Sequence, residues 1–247
     1  MQSQTDGAIA QSVEQRTENP CVPGSNPGGT TSKSLSEMKG FFGLNLFIAG
    51  ELHLVFISNS QFYFMQKPTD DIVTSRLILR LMDEVVISDC LKKNLEGAAH
   101  LLKARVPVVI LDYPTILQYA IKQFKEDESY LPWAARAIIL PEANQMVGLV
   151  RFHSQPNPEY LKNYASNAVE FGYQIFKDYR KNGYATETVI ALIDWAQTTF
   201  GVVNFIASVS PDNKDSLKLI LGLGFKKIGE VMDDIDGFEY IFLKHIS

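Results

Sequence analysis

Apolar Val169, Phe171, Tyr173 and Ile175 alternate with Glu170, Gly172 and Gln174, the period-two pattern of a strand with one apolar face. From Ala185 the period changes: Ala185, Val189, Leu192, Ile193, Ala196 and Phe200 share one helical stripe, and Gly201 follows as its stop. A strand, a glycine-bearing turn and a helix therefore succeed one another without a break. Upstream, Thr74–Arg80 reads as a first strand, while Val85–Leu102 and Thr115–Phe124 carry helical spacing, the second after Pro114 with Thr115 as its N-cap. Val106–Leu111 fits a strand or an extended connector. Ala134–Leu140 and Met146–Phe152 are apolar runs joined by a turn-rich linker, which predicts an antiparallel pair. Polar His153–Asn167, with two prolines, reads as a surface excursion. A strand over Asn204–Val209, a helix over Asn213–Leu223 stopped by Gly224, and strands over Lys226–Val231 and Phe238–Leu243 complete the order. Hairpins at both ends make this an α/β (α+β) chain with a mixed sheet, and argue against a doubly wound parallel one.

Residues 1–36 have no such period and are rich in Gln, Ser, Thr, Asn, Gly and Pro, a composition that reads as disorder. They also back-translate in an unusual way. Ala10–Gln15 can be written GCT-CAG-TCG-GTA-GAG-CAG, resembling the D-arm of a transfer RNA gene, and Gly24–Pro27 as GGT-TCG-AAT-CCC, resembling its T-arm. Gln15–Cys21 can be coded as the stem and loop between them, with the Glu18 codon as anticodon. Residues 1–64 are accordingly expected to be a non-native or disordered extension, with translation beginning at Met65 and one domain over 65–247. The apolar run Phe41–Ile57 is interrupted by Glu51 and His53, each costly in hydrocarbon, so a membrane span is not expected.

Composition narrows the function further. With 46% hydrophobic and 21% charged residues in 247, the chain can bury a full core. A net charge of -5 and a pI near 5.4 argue against a nucleic-acid partner. Cys21 and Cys90 have no metal-ligand or CxxC spacing, so no metal site and no disulfide framework are expected, and a cytoplasmic location follows.

The chemistry concentrates where the strand meets the helix, in Tyr179-Arg180-Lys181-Asn182-Gly183-Tyr184-Ala185-Thr186-Glu187. A turn there aims successive main-chain N–H groups and the positive end of a helix at one point, which suits a diphosphate. Arg180 and Lys181 add compensating charge, although glycine in such a turn also serves simply to adopt a positive φ. No Gly-Lys-Ser/Thr follows, and Gly222, Gly224 and Gly229 do not space as GxGxxG.

Residues from about Thr74 to Ile246 resemble the GNAT acyltransferase superfamily, in particular its ribosomal-protein N-terminal (alanine) acetyltransferase branch. The likeness rests on Arg180–Ala185 as the family's Arg/Gln-x-x-Gly-x-Gly/Ala loop, Ser75–Arg80 as an opening strand, Gly172-Tyr173, and Asn213 with Leu223-Gly224-Phe225. It implies acetyl-CoA as co-substrate, held where two strands splay apart: Tyr173, Gln174 and Ile175 along the pantetheine, Lys181 through Thr186 at the diphosphate with Arg180, Asn182, Gly183, Tyr184 and Ala185 in that loop, and Asn213 near the thioester. The implied reaction is transfer of an acetyl group to a primary amine, either a protein N-terminus or a small molecule.

Two departures from the family pattern matter. Ile220 stands where many members place a tyrosine acid, and Ser208 where some place a glutamate base. Glu170, on the less apolar face of the central strand, is the candidate base, with Ser208 to orient a water or the thiol and His153 as a second base candidate. Glu187 is read as a structural residue opposing the helix dipole. The alternatives are an acyl-CoA-binding module without turnover and an acetyltransferase for antibiotics or polyamines. The acceptor-contacting loops, Asp83–Tyr130 and His153–Asn167, carry no motif that names the acceptor, and oligomeric state is unread. Peptide mapping of the native protein tests the start site: no peptide from residues 1–60 is expected, and one such peptide refutes the upstream reading.

Overall fold

The computed structural model describes residues 42–48, 51–58, 61–64, 67–233 and 237–247. The chain divides into two compact units between Met65 and Gln66. In the first, β1 (Phe42–Ile48), β2 (Glu51–Ser58) and β3 (Gln61–Phe64) form an antiparallel sheet in that order, so the apolar run read from the sequence enters a strand pair. The transfer-RNA-like segment lies outside the described residues. No helix among the described residues is long and apolar enough to cross a membrane.

The second unit opens with β4 (Ile72–Val73), β5 (Ile78–Leu81), α1 (Glu84–Leu91), α2 (Leu95–Leu102) and α3 (Pro114–Glu126). There follow β6 (Arg136–Leu140), β7 (Gln145–Phe152), β8 (Ala168–Ile175), α4 (Tyr184–Phe200), β9 (Asn204–Val209), α5 (Lys214–Gly222), β10 (Lys226–Asp233) and β11 (Gly237–His245). Eight strands form one sheet in the order β10-β11-β9-β8-β7-β6-β5-β4. Every neighbouring pair is antiparallel except β8 with β9. The mixed, mostly antiparallel sheet flanked by helices is the fold class expected.

Local signals explain most boundaries. Asp83 caps α1 by accepting from Val86 N at 2.9 Å. The single helix expected over Val85–Leu102 is instead two, because Lys93 turns left-handed (φ 62°) and Asn94 starts a new helix by accepting from Gly97 N. Val108–Asp112 is a 3-10 turn, neither strand nor extended. Pro114 is the first residue of α3, where its missing N–H costs nothing, and Tyr113 rather than Thr115 is the cap position. Gly201, at φ 68°, closes α4.

Strand alternation sends side chains to two cores. One face of the sheet, with Ile138, Val150, Phe152, Val169 and Phe171, packs against Val189, Leu192, Trp195 and Ala196 of α4. The other, with Ala137, Ile139 and Leu149, packs against Val86, Ile87 and Cys90 of α1 and Leu117 of α3. Arg136 lies within the first core at 1% exposure, its guanidinium 4.8 Å from the Trp195 ring centroid. It donates to the carbonyls of Asp70 and Pro68 at 2.8 Å and of Leu79 at 3.3 Å, which ties the start of the unit to the sheet. Burial pulls its pKa down to about 10, against the opposing pull of Asp71 and Asp70. Arg136→Ala removes these bonds and leaves a void, so urea denaturation is expected to show a loss of about 3 kcal/mol or more, on the usual worth of bonds to a charged donor.

Candidate active site

Strands β8 and β9 pair only at Ala168↔Asn204, Val169↔Phe205 and Glu170↔Ile206. Past Glu170 each follows its other neighbour: β8 stays with β7 from Phe171↔Phe152 to Ile175↔Gly148, and β9 stays with β11 as far as Val209↔Tyr240. The antiparallel ladder fixes which main-chain groups face the opening. His153 N donates to Glu170 O and Phe176 N to Val147 O, so even-numbered residues of β8 turn toward β7 and Phe171, Tyr173 and Ile175 turn toward the gap.

A cleft of about 490 Å³ occupies the wide end of that gap, between β8, the loop after it and the first residues of α4 and α5. Tyr173, Gln174, Ile175, Arg180, Lys181, Gly183, Tyr184, Ala185, Thr186 and Asn213 all line it, so ten of the residues singled out in the sequence converge there. Asn182 does not. Its side chain turns back to donate to the carbonyls of Tyr179 and Arg180, so it stiffens the loop from within. Lys181 (φ 64°) and Gly183 (φ 80°) both take left-handed conformations, and no side chain caps α4, which leaves its first-turn amides without an internal partner. Arg180 folds back, its Nε donating to Ile175 O at 3.0 Å.

The loop is held from outside by a contact the sequence did not reveal. Glu187, in the first turn of α4, accepts from Thr74 Oγ1 at 2.6 Å, Ser75 Oγ at 3.1 Å, Arg76 N at 3.0 Å and Arg76 Nε at 2.7 Å. Arg76 also donates through Nη1 to Asn182 O at 3.0 Å and lies over the Tyr184 ring. A side chain at Gly183 would bring its Cβ to 3.4 Å from Arg76 Nη2. The first strand region thus fixes the turn before α4. Structural work was expected of Glu187; its partners are more specific than a helix dipole.

On the sheet face that carries α1–α3, Glu170 is 7% exposed. Its Oε1 accepts from Ser208 Oγ at 2.6 Å, its Oε2 lies 3.3 Å from His153 Nδ1, and the Tyr160 hydroxyl bonds it as well. Burial alone would raise its pKa, but the bonds from His153, Ser208 and Tyr160 and the charge of His153 outweigh it and hold the carboxyl below its usual range. Glu170, Ser208 and His153, each singled out separately in the sequence, form one cluster. Tyr160, from the 153–167 excursion, was missed because nothing in its local sequence marks it. Loss of water around its hydroxyl and the neighbouring Glu170 raise its own pKa, although 48% of the residue as a whole is exposed. Across the gap, the Tyr173 hydroxyl lies 3.1 Å from Ser216 Oγ in α5, a hydroxyl pair lining the cleft. Ile220 is fully buried in the core.

An antiparallel sheet opened at its single parallel pair, beside a strand–loop–helix unit, defines an acetyltransferase-type fold. The chain belongs to the GNAT family, whose acetyltransferase (GNAT) domain matches residues 86–226. It is 29% identical over 97 residues to the uncharacterized N-acetyltransferase p20 of Bacillus licheniformis, covering 39% of this chain and 51% of that one. The chain spans about half the length of the curated relatives it matches. Among solved structures it is similar to a protein of Vibrio cholerae provisionally assigned as a ribosomal-protein-serine acetyltransferase (TM-score 0.50, 16% identity, 73% of this chain and 100% of that one). It is equally similar to RimL, a ribosomal L7/L12 α-N-protein acetyltransferase solved with coenzyme A (TM-score 0.50, 18% identity, 72% and 98%). At these identities the likeness is one of fold.

The Glu187 contacts make the stability of the fold depend on pH. Burial opposes ionisation, but the bonds from Thr74, Arg76 and Ser75 prevail and depress its folded pKa. A depressed carboxyl stabilises fully above its unfolded pKa and loses that contribution as pH falls through the folded one. Glu187→Gln is therefore expected to lower the melting temperature at pH 7, by about 1–2 kcal/mol of stability, with the difference from wild type shrinking below about pH 4.

Proposed function

We propose that this protein is an acetyl-CoA-dependent N-acetyltransferase that transfers an acetyl group to a primary amine, on a protein N-terminus or a small molecule. One observation carries the reading: the uncapped first turn of α4 and the stretch of β8 beyond its pairing with β9 open on the same cleft. That stretch suits a pantetheine arm, which adds to it as a strand would, and the helix terminus suits the diphosphate. Lys181 and Lys218, both lining the cleft, supply positive charge. RimL, whose fold is similar, was solved with coenzyme A, which supports a coenzyme A thioester as the donor.

In this reading the amine nitrogen attacks the thioester carbonyl, the C–N bond forms and the C–S bond breaks. The departing thiolate takes its proton from the Tyr173–Ser216 hydroxyl pair, in place of the tyrosine that Ile220 does not provide. Burial raises the Tyr173 pKa, which keeps the hydroxyl protonated and able to donate. That pair supports turnover over a module that binds without it. In this reading the catalytic unit is the second compact unit, Gln66–Ser247.

Calorimetry with acetyl-CoA and a thiol-release assay over a panel of amines test the proposal. Saturable binding and amine-dependent thiol release are expected; binding without release on any amine favours the non-catalytic module, and no binding defeats both. Gly183→Val forces a branched side chain into a left-handed backbone beside Arg76. It is expected to weaken acetyl-CoA binding by about tenfold or more, since 1.4 kcal/mol of strain suffices for that factor.

A further inference from the structure

We propose that His153, oriented by Glu170, is the group that takes the proton from the acceptor amine. This rests on the acetyl-transfer reading above and adds to it the identity of the base. Glu170 is the carboxylate that the strand pattern singles out, yet both of its oxygens are engaged, by Ser208 on one side and His153 on the other. A buried carboxylate so thoroughly bonded is a weak proton acceptor. His153 is the more open partner, with 29% of its side chain exposed. With Nδ1–H directed at Glu170, the lone pair of Nε2 is the free acceptor, as in any imidazole whose second nitrogen is fixed by an acid.

The position of Nε2 is set by the absence of a side chain. A Cβ on Gly172 would lie 2.9 Å from it and 3.9 Å from each of its ring neighbours, so Nε2 is aimed at the bare backbone of Gly172. Gly172 is next to Tyr173, whose side chain lines the cleft and whose main chain faces the gap. A reacting carbonyl held along the edge of β8 is thus approached from the His153 face by the amine and from the Tyr173–Ser216 face by the proton donor.

The rest of the surroundings fix the imidazole. Tyr119 of α3 donates its hydroxyl to His153 O at 2.8 Å, and Arg151, two residues earlier on β7, lies over the Tyr119 ring. Tyr160 of the excursion bonds Glu170. Among the described residues, Ser208 and, through Tyr160, Ser154 join them around the pair. In the step itself the amine proton passes to Nε2 as the C–N bond forms, Nδ1–H stays with Glu170, and the imidazolium later returns its proton to solvent. Ser208, Tyr160 and Glu170 act as positioning residues.

The experiment compares wild type, His153→Gln, His153→Ala and Glu170→Gln in the full chain, measuring kcat against pH with a good acceptor, acetyl-CoA affinity by calorimetry and melting temperature. His153→Gln is expected to lose about 100-fold or more in kcat, the usual worth of a general base, to lose the rising acid limb of the profile, and to keep acetyl-CoA affinity within about twofold. His153→Ala is expected to regain activity with added imidazole, which a structural role would not produce. Glu170→Gln is expected to fall about tenfold in kcat with donor affinity unchanged. Wild-type kcat and pH profile in His153→Gln overturn the proposal while leaving the donor site intact. No binding of acetyl-CoA by the unaltered chain overturns the donor site and this proposal together.

Discussion

Strands β8 and β9 run side by side for three residue pairs and then part, because each is committed to an antiparallel neighbour whose ladder continues after theirs has stopped. Twist accumulates along every strand, so two strands tied to different partners diverge. The opening lies inside the sheet, flanked by cores on both faces, and this makes it a different object from an exposed edge. Its main-chain groups are fixed in direction by the β7–β8 register, and a long, narrow molecule can complete the sheet there. The loop after β8, the first turn of α4 and Asn213, whose side chain caps α5 by accepting from Ser216 N, all meet at its wide end.

Much of this was legible because the decisive elements have clean periods. The alternation at 169–175 and the stripe from Ala185 to Phe200 gave the strand, turn and helix in the right places, and Gly201 marked the end. The helix over 85–102 was misread for a physical reason: α1 and α2 present apolar residues to the same core, so the spacing survives the break, and only Asn94 announces a second start. The 3-10 turn at Val108–Asp112 has too short an apolar run for any period to show.

At the site, separation in the chain decided what could be read. Local groups of the loop were found from spacing, except that Asn182 turns inward, a matter of side-chain direction that spacing does not carry. Glu170 and His153 were each noticed alone. Their meeting depends on the register that sets His153 N against Glu170 O across β7 and β8. Arg76 and Glu187 stand more than a hundred residues apart, and each reads as an ordinary charge until β4 and β5 bring the Thr74–Arg76 segment against α4.

On the proposed reading, the two halves of the site are made of different material. The thioester side depends mostly on peptide groups, which every residue but proline supplies, and on two left-handed positions. The amine side depends on a few named side chains around one buried carboxylate. A chain built this way is vulnerable in an uneven manner: one exchange at the imidazole cripples turnover and one at its carboxylate slows it, whereas the grip on the thioester survives nearly any replacement that leaves the backbone path alone. Descendants of such a protein thus have a short route to becoming silent carriers of the donor, with the fold and its cleft unchanged.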